Sequence, residues 1–374
     1  MRLRTFPAYG PCLVGALVMV LGTFGAPVTT AAQGRLTLER IFASGEFRGE
    51  GFGPARWLAD GSGYTTVEPS SPGAGLDLVR YSPDTGDRQI LVRATSLVPP
   101  GGSAPLILED YEWSEDGRKL LVYTNAQRVW RVNSRGDYWV LDLEGGRLQQ
   151  VGEGFPESSL MFAKFSPEGD RVAYVTGNDI WVERLADGSH TRLTAGGSHT
   201  LIHGNFDWAY EEEFGIRDGF RWSPDGTRIA YWELDASGVK EFLLVNDTDS
   251  LYPSVTSLPY PKVGETLSSA RVGVVPATGG ETVWARVPGD PRNNYIPRME
   301  WAASAQELVI QQLNRPQNVN QVILVNASTG ETRVIHTDRD DAWVDVVDDM
   351  RWLEGGTRFT WVSEQDGWRH VYLV

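Results

Sequence analysis

The sequence predicts an all-β fold, a β-propeller of four-stranded blades each about 50 residues long, on three observations. One pattern recurs six times, each copy reads as two strands joined by a tight turn, and no stretch of any length carries helical periodicity. A stacked sandwich would not need so regular a period.

The copies are ARWLADGSGYTTV from Ala55, YEWSEDGRKLLVYT from Tyr111, AKFSPEGDRVAYVT from Ala163, FRWSPDGTRIAYWE from Phe220, MEWAASAQELVIQQ from Met299 and MRWLEGGTRFTWVS from Met350. Their aromatic anchors, Trp57, Trp113, Phe165, Trp222, Trp301 and Trp352, stand 56, 52, 57, 79 and 51 residues apart. Apolar positions at strand period face a core, so the anchors are expected to pack blades together, and the Asp-Gly and Gly-Gly pairs to form turns. A second hairpin follows most copies, as in YWVLDLEGGRLQQV, DIWVERLADGSHTRLT, VGVVPATGGETVWARV and VILVNASTGETRVI, which brings each unit to about four strands. PSSPGAG and VPPGGSAP read as loops, and the 79-residue interval contains a Pro-rich excursion, DSLYPSVTSLPYPKVGE, from Asp249. After the sixth copy, EQDGWRHVYLV supplies a turn and a third strand before Val374, so the domain of residues 33–374 is expected to be truncated within a blade.

Residues 1–32 read as a secretory signal peptide. Arg2 and Arg4 precede an apolar run from Leu13 to Phe24, small residues follow, and cleavage is expected near Ala31 or Ala32. The run is short for a membrane anchor of roughly 20 residues. Export implies a periplasmic or secreted protein, and since Cys12 is the only cysteine, the mature chain folds without disulfides. Loss of Arg2 and Arg4 takes the formal charge from −15 to −17. So acidic a surface argues against nucleic acid and anionic membrane and favours cationic ligands.

One stretch gathers that charge. In DWAYEEEFG, residues 207–215, Asp207 suits an N-cap, Trp208 to Phe214 make two helical turns, and Gly215 suits the position after the last turn. Three glutamates there could be no more than a solvated helix end. The flanking aromatics, however, indicate a helix packed down on the protein, where carboxylates need partners. Two of them can grip a small cation from two sides: an ammonium offers three donors. Without a cation, close carboxylates are expected to raise at least one pKa.

DWAYEEEFG, followed by WSPDGTRIAYWELDASGV, DSLYP and PYPKVGE, resembles the propeller domain of the dipeptidyl peptidase IV family of serine peptidases, as do LTLERIF and VWRVNSRGDYWVLDL. The resemblance spans nearly all of the mature chain. It implies an eight-bladed propeller, of which about six blades are present, capping an α/β-hydrolase domain that is absent here. It implies release of N-terminal dipeptides, with Pro or Ala preferred in second place. Carried over, Glu212 and Glu213 bind the free N-terminus of a peptide, Glu211 is structural, and Arg131 after Trp130 hydrogen-bonds the substrate's backbone carbonyl. The loop differs from the family's beyond that Trp-Arg pair, and an exposed strand-end arginine is the plain alternative. Homodimerisation is also common in the family.

No Gly-x-Ser-x-Gly nucleophile elbow occurs, and the histidines, His190, His199, His203, His336 and His370, accompany no such serine. The chain alone is therefore not expected to hydrolyse peptides. No cofactor is expected, and His199 and His203, four apart in a Gly-rich segment, lack an acidic third ligand for a metal. Two readings follow: the recognition part of an exported dipeptidyl peptidase, or a stand-alone propeller acting as a binding or scaffold module.

Overall fold

A computed structural model describes residues 36–49, 51–71 and 73–374; the expected signal peptide lies outside them. The chain divides into two compact units, residues 1–51 and 52–374. The described part of the first holds a π-helical turn, Glu39–Ala43, beside which Arg40 pairs with Glu46.

The second unit is a succession of antiparallel blades that fall where the repeat places them. Blade one comprises Arg56–Trp57, Tyr64–Pro69, Leu76–Tyr81 and Arg88–Val92. Blade two comprises Asp110–Trp113, Lys119–Val129, Val132–Asp142 and Leu148–Val151, and blade three Leu160–Phe165, Arg171–Thr176, Asp179–Arg184 and His190–Arg192. These two join edge to edge where Arg135 and Gly136 pair with Met161 and Leu160. Blade four is built on Arg228–Asp235, Ser269–Pro276 and Val283–Trp284, blade five on Asn294–Trp301, Glu307–Asn314, Val319–Asn326 and Thr332–Arg339. Trp352–Leu353, Arg358–Ser363 and His370–Leu373 form a three-stranded sixth sheet.

Alternation explains how the blades stack. Successive strand residues point to opposite faces, so each central strand serves two cores. Val172 and Tyr174 pack with Leu121 and Tyr138 of blade two, whereas Ala173 and Val175 pack with Phe220 and Ile229 of blade four. A separate apolar cluster lies between each consecutive pair of blades. Five of the six anchors enter these clusters. Three of the four tryptophans among them also bond backwards: the indole N–H of Trp113 donates to Thr65 Oγ1 at 3.0 Å, that of Trp222 to the Lys164 carbonyl at 3.4 Å, and that of Trp301 to the Arg221 carbonyl at 3.3 Å. Trp57 departs from the expectation. It stands in the first sheet with no earlier described blade to receive it, is 67% exposed, and touches Tyr64 edge-on.

The Ser-x-Asp-Gly turns close by a shared device. Ser223, fully buried, accepts from Arg228 N at 2.9 Å and donates to Asp225 Oδ1 at 2.6 Å, while Gly226 at φ +63° reverses the chain. Ser114 repeats this with Lys119 N and Asp116.

The Pro-rich excursion is one strand of a hairpin. Ser254–Pro259 pairs with Glu241–Asn246 to make a two-stranded arm from blade four. Its first strand, EFLLVN, was not legible, because it is exposed throughout and has no alternation.

Candidate functional site

Blade four opens with a strand in two pieces. Leu201–His203 and Phe220–Trp222 both pair with Arg228–Asp235, one after the other, and residues 204–219 leave the sheet between them. Two glycines make the neck of this insertion. Gly204 N donates to the Trp232 carbonyl, Gly219 N to the Gly204 carbonyl at 2.9 Å, and Trp232 N to the Gly219 carbonyl at 3.0 Å, so the ladder closes across the gap. A Cβ on Gly219 would lie 2.6 Å from the Gly204 carbonyl carbon, and only glycine permits so close an approach.

The insertion carries the one α-helix among the described residues, α1, Trp208–Phe214, with the caps the sequence indicates. Asp207 accepts from Tyr210 N at 3.0 Å and from Ser268 Oγ at 2.5 Å, and Gly215 at φ +64° donates to the Glu211 carbonyl at 3.1 Å. Tyr210 and Phe214 sink into the core between blades four and five, where Tyr210 stacks on Phe206 and its hydroxyl accepts from Ile296 N at 3.3 Å. Arg298 of blade five donates to the Phe214 carbonyl at 3.2 Å, and Trp208 stacks on Tyr260 at 4.2 Å. Short helices are unstable alone, so these contacts are what fix α1 and its three glutamates.

Each glutamate has a different environment. Glu211 is buried, with Oε2 3.2 Å from Arg217 Nε in the same insertion. Burial outweighs that arginine and pushes the carboxyl up to about 7. Glu212 is one quarter exposed and accepts from Arg131 Nε at 2.5 Å, a contact that holds it below the usual carboxylate range. Glu213 is exposed, and its Oε1 accepts from Gln317 Nε2 at 2.6 Å.

Arg131 reaches α1 because the central hairpin of blade two is long. Lys119–Val129 and Val132–Asp142 run 11 residues each, and Trp130, at φ +53°, shapes the two-residue turn at their tip. Beneath the hairpin lies a cavity of about 310 Å³ lined by Arg56, Asp110, Glu112, Tyr123 and Arg217 among others.

The structure thus brings together Arg131 and Glu212, 81 residues apart, and sets Glu213 beside them on the same helix. One carboxyl is raised, that of Glu211, but chiefly through burial rather than through repulsion between carboxylates, while the arginine beside Glu212 lowers that one. Arg217, Gln317 and Arg298 were not singled out from the sequence. Arg217, four residues beyond Glu213, was the most findable; Gln317 lies in the turn NRPQN, which reads only as a loop. His199 and His203 do not converge, since His199 faces Glu241 at 3.1 Å while His203 is buried between Asp179 and Glu233.

Comparison with known proteins bears on this arrangement. The sequence pattern described as dipeptidyl peptidase IV (DPP IV) N-terminal region matches residues 114–374, well over half of the chain. This chain belongs to that family. A probable dipeptidyl peptidase 4 of Emericella nidulans is 27% identical over 304 residues, 76% of this chain and 39% of the relative. The dipeptidyl peptidase 4 of Arthroderma otae is 27% identical over 329 residues, 85% and 41% of the two chains. The crystal structure of Porphyromonas gingivalis dipeptidyl peptidase 4 superposes with a TM-score of 0.80 at 28% identity, covering 90% of this chain and 47% of that one. This chain therefore spans about two-fifths of the length of those curated relatives and matches their N-terminal, propeller region.

Proposed function

We propose that this chain is the substrate-recognition propeller of an exported, periplasmic or secreted serine dipeptidyl peptidase that releases N-terminal dipeptides, with Pro or Ala second. Glu212 and Glu213 bind the peptide's ammonium, Arg131 donates to the backbone carbonyl of the bound dipeptide, and the catalytic serine, aspartate and histidine reside in a hydrolase domain outside this chain. The observation that carries the reading is α1 itself: a helix spliced into a blade strand at a glycine neck, presenting two accessible adjacent carboxylates beside an exposed arginine from another blade.

The chemistry follows from those positions. A protonated amine needs three acceptors, and two carboxylates supply them with charge-assisted bonds. Clamping the amine fixes one end of the peptide, and an extended chain advances at most about 3.3 to 3.6 Å per residue. A nucleophile held two residues away then cuts only after the second residue. Arg131, drawn to Glu212 in the free site, remains 69% exposed and keeps further N–H groups for a carbonyl.

Kinetics of the full-length protein test this. Glu212→Gln or Glu213→Gln lowers kcat/KM for free-amine substrates by roughly tenfold to a hundredfold, and N-acetylated peptides are poor substrates of every form. A double Gln variant that cleaves free and acetylated peptides as the parent does refutes the clamp. A stand-alone binding module instead would cleave neither.

A further inference from the structure

The three glutamates of α1 do not face equal charge. Glu211 sits against Arg217 and Glu212 against Arg131, so each faces a full positive charge. Glu213 faces the neutral amide of Gln317 at 2.6 Å. A carboxylate can only accept, so it is the amide N–H that points at it. A neutral donor orients a carboxylate and leaves its charge available to a third group; a cation orients it and consumes the charge.

Gln317 is held firmly by its turn. It is 7% exposed and sits at φ +54°, a region that residues other than glycine seldom enter. Its N–H donates to the Asn314 carbonyl at 2.9 Å, and its carbonyl accepts from Val344 N at 2.8 Å. Asn314 locks the turn from inside, accepting from Asn318 N at 3.1 Å and Val319 N at 3.0 Å. The neighbouring cation, Arg315, donates to the Glu265 carbonyl at 2.5 Å. Blade five thus brings a fixed, uncharged donor to Glu213 and ties its own nearby arginine to a backbone carbonyl.

From this geometry we infer that Gln317 is a specificity-determining positioning residue, which aims Glu213 and preserves its charge, so that Glu213 is the dominant ligand of the substrate ammonium and Glu212 the lesser one. The inference rests on the clamp reading above and refines it.

Four variants of the full-length protein test it: Gln317→Leu, which removes the donor at similar volume; Gln317→Lys, which places a competing ammonium beside Glu213; Glu212→Gln; and Glu213→Gln. The readout is kcat/KM for an alanyl-prolyl substrate divided by that for its des-amino analogue, in which a propionyl group replaces alanyl. Gln317→Leu lowers the ratio about tenfold, Gln317→Lys about a hundredfold with most of the change in KM, and Glu213→Gln lowers it more than Glu212→Gln does. If neither glutamate variant changes the ratio, the clamp itself is refuted. If Glu213→Gln lowers it and both Gln317 variants leave it alone, the clamp stands and this inference falls. A Gln317 variant in which both substrates slow in step overturns it too, because a loosened fold does not discriminate by the amine.

Discussion

Replacing His203 with Asn makes the protein's stability less sensitive to alkali, by an amount the structure sets. His203 ends the strand from which the α1 insertion departs, is 3% exposed, and lies with Nδ1 3.0 Å from Asp179 Oδ1 and Nε2 3.0 Å from Glu233 Oε2. Asp179 belongs to blade three and Glu233 to blade four, so a protonated imidazole ties the two blades together. These carboxylates overcome burial and raise the imidazole from 6.5 to about 9. A rise of that size is worth about 3 kcal/mol, at about 1.4 kcal/mol per pH unit. Because the folded value is the higher, the stabilisation is complete below pH 6.5 and drains away as pH climbs through 9. Between pH 7 and pH 10 the parent then loses about 2.5 kcal/mol that His203→Asn does not lose. The variant keeps Arg192 at 2.5 Å from Asp179 and Arg271 at 2.6 Å from Glu233, so neither carboxylate is orphaned. Urea unfolding followed by tryptophan fluorescence at several pH values measures the difference, and other titrating groups cancel between the two proteins. Parallel pH profiles, or an imidazole that titrates near 6.5 by NMR, would refute the reasoning.

Two further outcomes follow from the same geometry. Gly219→Ala drives a methyl group into the Gly204 backbone at the neck of the insertion, and destabilises the protein by about 1 to 3 kcal/mol while weakening amine binding, checked by urea unfolding and by dipeptide titration. Glu211, raised to about 7 by burial, favours the folded state in its neutral form, so the parent loses up to about 3 kcal/mol between pH 4.5 and pH 8 relative to Glu211→Gln; equal pH slopes for the two would contradict this.

What the sequence reveals here is what depends on neighbours along the chain. Asp207 and Gly215 bound α1 because caps are local chemistry, and the Ser-x-Asp-Gly turns bound strands for the same reason. The aromatic anchors mark the blades because alternation forces them into cores that recur with the repeat. Contacts across blades leave no such trace. Arg131 meets Glu212 across 81 residues and Gln317 meets Glu213 across 104, and nothing in either local sequence encodes the distance. The merger of blades two and three depends on a hairpin longer than the repeat's other strands, which repeat matching truncates to the common length. Trp57 shows the converse error, since a repeat match assigns a core role to a residue whose neighbouring blade is not among the described residues. The glutamate cluster was legible as composition and its charge balance was not, because that balance is set by partners from three separate segments.

The most direct test of the central claim is a crystal structure of the full-length protein with a free-amine dipeptide product bound. The account places the peptide nitrogen within about 3 Å of both Glu212 and Glu213, nearer to Glu213, with Arg131 turned to a peptide carbonyl. A peptide amine lying away from α1, with the Arg131–Glu212 contact undisturbed, would contradict it.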